Sequence, residues 1–184
     1  MVSVIIPVYQ VSDYIERCIR SVMSQTTTDI ECIIVDDETE DDSIEKCERL
    51  IKGYNDNVNL DHNLDGKGRI RFKILHHEMN RGLSAARNTG TKAATGEYVF
   101  YLDSDDEMTP DCMEKMMLMA EKYPEAEMVV GRYQTIENGS VWSFQEGEVP
   151  DYVVSNEKIV SLYYTKYIPI FVWNKLIKRW SPSV

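Results

Sequence analysis

"VSVIIPVY" (residues 2–9) is a short run, apolar almost throughout and rich in β-branched side chains. A strand with one face in water alternates apolar with polar residues. A uniformly apolar one is covered on both faces, as in a parallel sheet flanked by helices. Two further runs share this character, "ECIIVDD" (31–37) and "EYVFYLD" (97–103), whereas "RIRFKIL" (69–75) alternates and fits a half-exposed strand. Between the strands, Ile15, Cys18, Ile19, Val22 and Met23 recur at helical spacing after a candidate cap at Ser12. Ile44, Cys47, Leu50, Ile51 and Tyr54 mark a second amphipathic helix, and the polar stretch 55–68 reads as a surface excursion. "GLSAARNTGTKAAT" (82–95) is a helix of small residues. "PDCMEKMMLMAEKY" (110–123) is a helix with Pro110 in its first turn and a Met run of adaptable core, and "AEMVVGRYQ" (126–134) is a further strand. Strands alternating with helices predict an α/β fold, a mostly parallel central sheet with helices on both faces.

At 184 residues the chain is expected to form a single domain with a substantial core. Its 31 acidic against 20 basic residues give a net charge of −11, which argues against nucleic acid as a partner. A phosphate-bearing ligand stays compatible, because a divalent cation inverts the local field. Four cysteines occur without any CxxC pair, and Cys18 and Cys47 fall on apolar helix faces, so buried thiols in a reducing compartment are expected. The first residues lack the basic start of a signal peptide, and no apolar run approaches the ~20 residues of a membrane span. The expectation is a cytoplasmic protein, free or peripheral at the inner face of the membrane.

In parallel sheets ligands bind beyond the carboxyl ends of the strands. Polar residues gather there: Tyr9 after the first strand, Asp36 and Asp37 after the second, and Asp103, Asp105, Asp106 and Glu107 after a later one. Crowded carboxylates repel, and a cation between them resolves the repulsion; hard oxygens suit Mg²⁺ or Mn²⁺. The competing reading is a solvated strand end whose negative charge favours the start of the next helix. Asp37 suits either an N–H of a ligand or a loop cap, and Tyr9 either base stacking or packing on the first helix. Arg87 suits either a phosphate or a structural pairing with the strand-end acids. Asp41 and Asp42 match the dipole of the second helix, and His62, His76 and His77 read as surface residues.

Four segments in order, "VSVIIPVYQVSDYIERCIRSVMSQT", "ECIIVDDETEDDS", "NRGLSAARNTGTKAATGEYVFYLDSDDEMTPDCMEKM" and "FVWNKLIKR", resemble the inverting glycosyltransferases of family 2. The resemblance implies the GT-A fold, a three-layer α/β/α sandwich, and transfer of a sugar from a nucleotide-diphospho-sugar, such as a UDP-sugar, to a glycan or lipid-linked acceptor. It implies that Pro7 and Tyr9 line the nucleobase pocket, that Asp37 hydrogen-bonds the base and that Asp36 supports it. Arg87, from its own chemistry, is a candidate to add charge at the phosphates. The resemblance further implies that Asp103 and Ser104 would lie along the ribose and diphosphate and that Asp105, with Asp103, would hold Mn²⁺ or Mg²⁺. It also implies a donor half over 1–134, the start of an acceptor half over 135–184, and a carboxylate general base beyond Val184. Transfer by these residues alone is therefore expected to be absent or slow. Trp173 and Lys175 are placed beside the acceptor cleft or, for Trp173, in the core. The family usually has Gly-Ser after the paired aspartates, where this chain has Glu38 and Thr39.

Other classes fit less well. A sugar nucleotidyltransferase is expected to carry a Gly-rich basic loop after its first strand, and "PVYQVSDY" has none. "IIVDDE" matches the acidic pair of receiver domains, yet a complete strand and helix precede it. A non-catalytic nucleotide- or metal-binding domain is the remaining alternative.

Overall fold

The computed structural model describes residues 1–27, 29–60, 70–137, 140–143 and 171–179. Along the chain run β1 (Val2–Val8), α1 (Ile15–Met23), β2 (Ile30–Asp36), α2 (Ser43–Leu60), β3 (Arg71–His76), α3 (Leu83–Ala93), β4 (Tyr98–Tyr101), α4 (Cys112–Lys122), β5 (Met128–Val130), β6 (Gln134–Glu137), β7 (Ser140–Ser143) and β8 (Lys175–Lys178). Six strands form one sheet in the order β3-β2-β1-β4-β8-β5, and β6 pairs with β7 separately. β1, β2, β3 and β4 are mutually parallel, while β8 lies antiparallel to both β4 and β5. The expected mostly parallel α/β architecture is what the chain adopts.

Burial follows the apolar runs. Every residue of β1 is buried, and its side chains divide between two cores. Val2, Val4, Ile6 and Val8 pack with Ile15, Cys18, Ile19 and Val22 of α1, Ile44 and Cys47 of α2, and Met113 and Met116 of α4. Ile5 points the other way, into a smaller cluster with Ile33, Val35, Val99 and Ala86 of α3. Three helices therefore cover one face and α3 the other, making the three layers. β3, at the sheet edge, alternates as its sequence does, with Arg71 and Lys73 exposed and Phe72 and Ile74 half-buried.

The small residues of α3 have a steric cause. A Cβ built on Gly90 would stand 2.4 Å from Ile5 Cγ2 and 3.3 Å from Val35 Cγ2, so the helix lies nearly against the strands. At the opposite margin Glu31 Oε1 accepts from Ser3 Oγ, Thr95 N and Gly96 N, joining three segments.

Several local expectations are corrected. Ser12 does not cap α1, whose N-cap is Tyr14 without a side-chain bond; Ser12 instead bonds Asp42 and Lys46. Asp41 does hold the start of α2, accepting from Ser43 N, and it also accepts from Ser12 N, tying the β1–α1 loop to that helix. α2 continues to Leu60, so residues 55–60 are helical where a surface excursion was expected; 61–68 lie outside the described residues. α4 starts at Cys112 with Asp111 as N-cap, leaving Pro110 before the helix. The strand expected over 126–134 is limited to the three residues of β5, and Gln134 belongs to β6. Cys18 and Cys47 are buried thiols, as expected.

Replacement Gly90→Ala is predicted to destabilise the protein by roughly 1–3 kcal/mol, because β1 is covered on both faces and Ile5 has nowhere to retreat. A chemical-denaturation midpoint unchanged from wild type would contradict this packing.

Candidate functional site

β1 occupies the centre of the parallel strands. From it the chain steps to β2 and β3 on one side, then returns through α3 to β4 on the other. The strand order thus reverses between β1 and β4, the kind of position at which α/β sheets leave a crevice beyond their strand ends. Val8 is in register with Asp36, and Leu102 N donates to Ile5 O just past the last β1–β4 pair. Pro7, Tyr9, Asp36, Asp37, Asp103, Ser104 and Asp105 therefore share one margin. Asp37 and Asp103 follow strands on either side of β1, two strand spacings or roughly 10 Å. Pro7 is buried in β1 beyond its last pair with β4, so its missing N–H costs no ladder bond there. Tyr9 is 43% exposed at this margin.

Asp37 is 3% exposed and works as the cap that local reading kept open. Its Oδ1 accepts from Arg81 N at 2.9 Å and faces His77 Nδ1 at 2.6 Å, and its Oδ2 accepts from Gly82 N at 2.7 Å. Burial pushes the carboxyl up, but these hydrogen bonds outweigh it and hold the group below its ordinary value. The carboxylate fastens the loop leading into α3, whose N-cap, Gly82, needs φ +85°. Asp36 accepts from Thr39 N through Oδ1, and its Oδ2 lies 2.9 Å from His76 Nδ1.

Two non-glycine residues on these loops adopt left-handed backbone, Gln10 at φ 52° and Glu38 at φ 62°. Gln10 N donates to Thr39 Oγ1, so the β1–α1 and β2–α2 loops hold each other. The departure at Glu38 therefore leaves a glycine-like conformation in place, with a longer side chain on an exposed loop.

Beyond β4 the acids are unevenly compensated. Arg87 Nη2 donates to Asp103 Oδ1 at 2.6 Å, so the structural pairing foreseen for Arg87 is realised. Its Nε is buried without a partner. Ser104 is buried and Asp105 exposed. Asp106 is pushed up to about 6, by desolvation first and by the charges of Asp105 and Asp103 second, although the residue keeps solvent contact. Glu107 reaches Arg17 at 3.6 Å. Asp105 and Asp106 have no ion pair among the described residues. Hard oxygens with uncompensated charge fit Mg²⁺ or Mn²⁺. Among the described residues no group of three His, Cys, Asp or Glu side chains is arranged to hold a metal ion by itself.

The sequence reading missed His77. It was placed with the surface residues, yet its side chain is 5% exposed and bonded at both nitrogens. The usable signal was position, since His76 ends β3 and His77 follows it, at the same margin as the acids. His62 lies outside the described residues. Farther along, Trp173 stacks on Phe171 at 4.8 Å and meets Tyr133 edge-on. Lys175 is buried, its Nζ on Asn174 Oδ1 and Phe171 O, and burial pushes it down to about 8.

The sequence profile of "Glycosyl transferase family 2" matches residues 3–176. The chain is 33% identical over 186 residues to EpsH of Bacillus subtilis, which carries a glycosyltransferase name; the match covers 97% of this chain and 47% of EpsH. It is 35% identical to the poly(ribitol-phosphate) beta-N-acetylglucosaminyltransferase TarP of Staphylococcus aureus, over 72% of this chain and 36% of TarP. Its fold superposes on S. aureus TarS 1–349 in complex with UDP at TM-score 0.60 and 23% identity, over 82% of this chain and 38% of that one. The mannosyltransferase PcManGT of Pyrobaculum calidifontis, in complex with GDP-Man and Mn²⁺, superposes at TM-score 0.60 and 22% identity, over 71% and 34%. The chain thus spans less than half the length of these relatives.

Two stability measurements test this geometry. Glu38→Gly should stabilise by up to about 1 kcal/mol through relief of the left-handed conformation, and destabilisation would contradict it. Asp106 ordinarily titrates near 3.8, and a raised folded value means that its charge opposes folding once the pH exceeds the unfolded value, fully so above about 6. Without added divalent cation, Asp106→Asn should leave stability unchanged at about pH 4 and raise it at pH 8. The gain is about 1 kcal/mol or less, because water screens an exposed carboxylate. An equal change at both pH values would refute the crowding.

Proposed function

The chain belongs to glycosyl transferase family 2, and on that premise we propose that it transfers a sugar from a nucleotide-diphospho-sugar, a UDP-sugar in our reading, to an acceptor hydroxyl. The observation that carries the proposal is the gathering of Pro7, Tyr9, Asp37 and Asp103–Asp106 at one sheet margin, around the reversal between β1 and β4. The relatives and fold neighbours support the donor class: TarS has been crystallised with UDP and PcManGT with GDP-Man. TarP, named for poly(ribitol-phosphate), supports a role in making a cell-surface glycan.

The roles we propose are those the family resemblance implies, and the geometry is compatible with them. Tyr9 offers an exposed ring to the nucleobase, Pro7 shapes the floor, and Asp37 takes an N–H of the base while Asp36 keeps its loop in place. Asp103 and Ser104 lie along the ribose and diphosphate, and Arg87 supplies positive charge beside them. Asp105, with Asp103, would hold Mn²⁺ or Mg²⁺, which neutralises charge on the departing nucleoside diphosphate. In transfer, a bond forms between the acceptor oxygen and the anomeric carbon as the bond from that carbon to the diphosphate oxygen breaks. Single displacement inverts the anomeric centre and needs a base to take the hydroxyl proton. We assign that base to a carboxylate beyond Val184, residues 1–134 to the donor half and 135–184 to the start of the acceptor half. No helix among the described residues is long and apolar enough to cross a membrane. We place the reaction in the cytoplasm, free or at the inner membrane face, where nucleotide sugars and a glycan or lipid-linked acceptor meet.

Calorimetry tests the donor reading. UDP should bind in the presence of Mn²⁺, and Asp105→Ala should weaken that binding at least tenfold, about 1.4 kcal/mol. Binding of UDP that is indifferent to both metal and Asp105 would refute the assignment.

A further inference from the structure

We propose that His77 is a positioning residue that sets base specificity, by leaving the Asp37 carboxylate a single acceptor position for the ligand. The proposal rests on the donor reading above and deepens it. A carboxylate offers about four acceptor positions, two on each oxygen. In Asp37, Oδ1 takes His77 Nδ1 and Arg81 N, so both of its positions are filled. Oδ2 takes Gly82 N and keeps one.

His77 is well placed to impose this. Its side chain is 5% exposed, it directly follows β3, and its backbone N donates to Asp36 O. A carboxylate only accepts, so Nδ1 carries the hydrogen that bonds Asp37. In the neutral ring Nε2 then accepts from the Thr89 hydroxyl at 2.8 Å. The imidazole is thus gripped between the end of β2 and α3, and it fixes the rotation of the Asp37 carboxylate. His76 makes the contrast: its side chain is 55% exposed, and its Nδ1 lies 2.9 Å from Asp36 Oδ2.

One acceptor position matches one kind of base edge. Uracil presents a single N–H between two carbonyls. Guanine presents two adjacent N–H donors, whose best partner is a carboxylate with both oxygens available. Cytosine and adenine place a ring acceptor beside their amino group, which a carboxylate repels. With Oδ1 occupied by His77, Asp37 therefore favours uracil over guanine without any group that clashes with guanine.

Calorimetry with UDP and GDP in the presence of MnCl₂, on wild type, His77→Ala, His77→Asn and His77→Gln, tests this, with melting curves run alongside. Wild type should prefer UDP at least tenfold. In His77→Ala, UDP affinity should fall about tenfold or more and the preference over GDP should shrink. His77→Asn, whose amide nitrogen replaces Nδ1, should restore both, whereas His77→Gln should not. If His77→Ala does not fold, the contrast between Asn and Gln decides. Wild-type preference for GDP, an unchanged UDP affinity in His77→Ala, or an equal loss for both nucleotides in a folded variant would overturn the proposal. Wild type that binds no nucleoside diphosphate at all would bring down the donor reading itself, a different and recognisable outcome.

Discussion

Parallel, in-register pairing of β1 with β2 on one side and β4 on the other is the constraint on which the candidate site depends. Side chains in a strand alternate between faces, so one residue of slippage would send Ile5 and Val99 into the wrong core and shift Asp37 and Asp103 along the margin. Register is held from both layers: α1, α2 and α4 receive the even-numbered side chains of β1, and α3 receives Ile5. It is also pinned at the far margin, where Glu31 gathers Ser3, Thr95 and Gly96. None of those residues belongs to the site, yet together they decide where its carboxylates stand.

The margin so positioned is costly for a protein with no ligand. Two backbone positions are left-handed without glycine, Asp106 is pushed towards neutrality by desolvation and then by its neighbours' charges, and Arg87 is committed to Asp103 with its Nε unsatisfied. Local strain and crowded charge of this kind cluster where binding repays them. A bridging cation and diphosphate would supply what is missing: positive charge for Asp105 and Asp106, and acceptor oxygens for Arg87. Asp37 differs. Its charge is already satisfied by a loop it organises, so the recognition role proposed for it would rest on the single position it retains.

The parallel sheet was legible in the sequence because burial on both faces removes the polar alternation, a property each strand carries by itself. The strand-end acids were legible for the same reason, since they interrupt apolar runs. What escaped local reading depended on contacts between distant segments. Ser12 has the chemistry of a cap, but Asp42, just before α2, and Lys46 within it take its hydroxyl. The Asn- and Asp-rich end of α2 reads as a loop by propensity, yet the helix runs on to Leu60. His77 reads locally as a surface residue, because its partner lies 40 residues earlier in the chain. At position 38 the sequence departs from the glycine usual in the family, while the backbone keeps the conformation that glycine would prefer.

Anomalous diffraction from crystals grown with MnCl₂ and UDP measures the central claim most directly, because manganese reports its own position. The account predicts one manganese at the margin between β1 and β4, within coordination distance of Asp105, with the diphosphate beside it and the base directed to Tyr9 and Asp37. Manganese bound away from Asp105, or UDP seated elsewhere on the molecule, would contradict it.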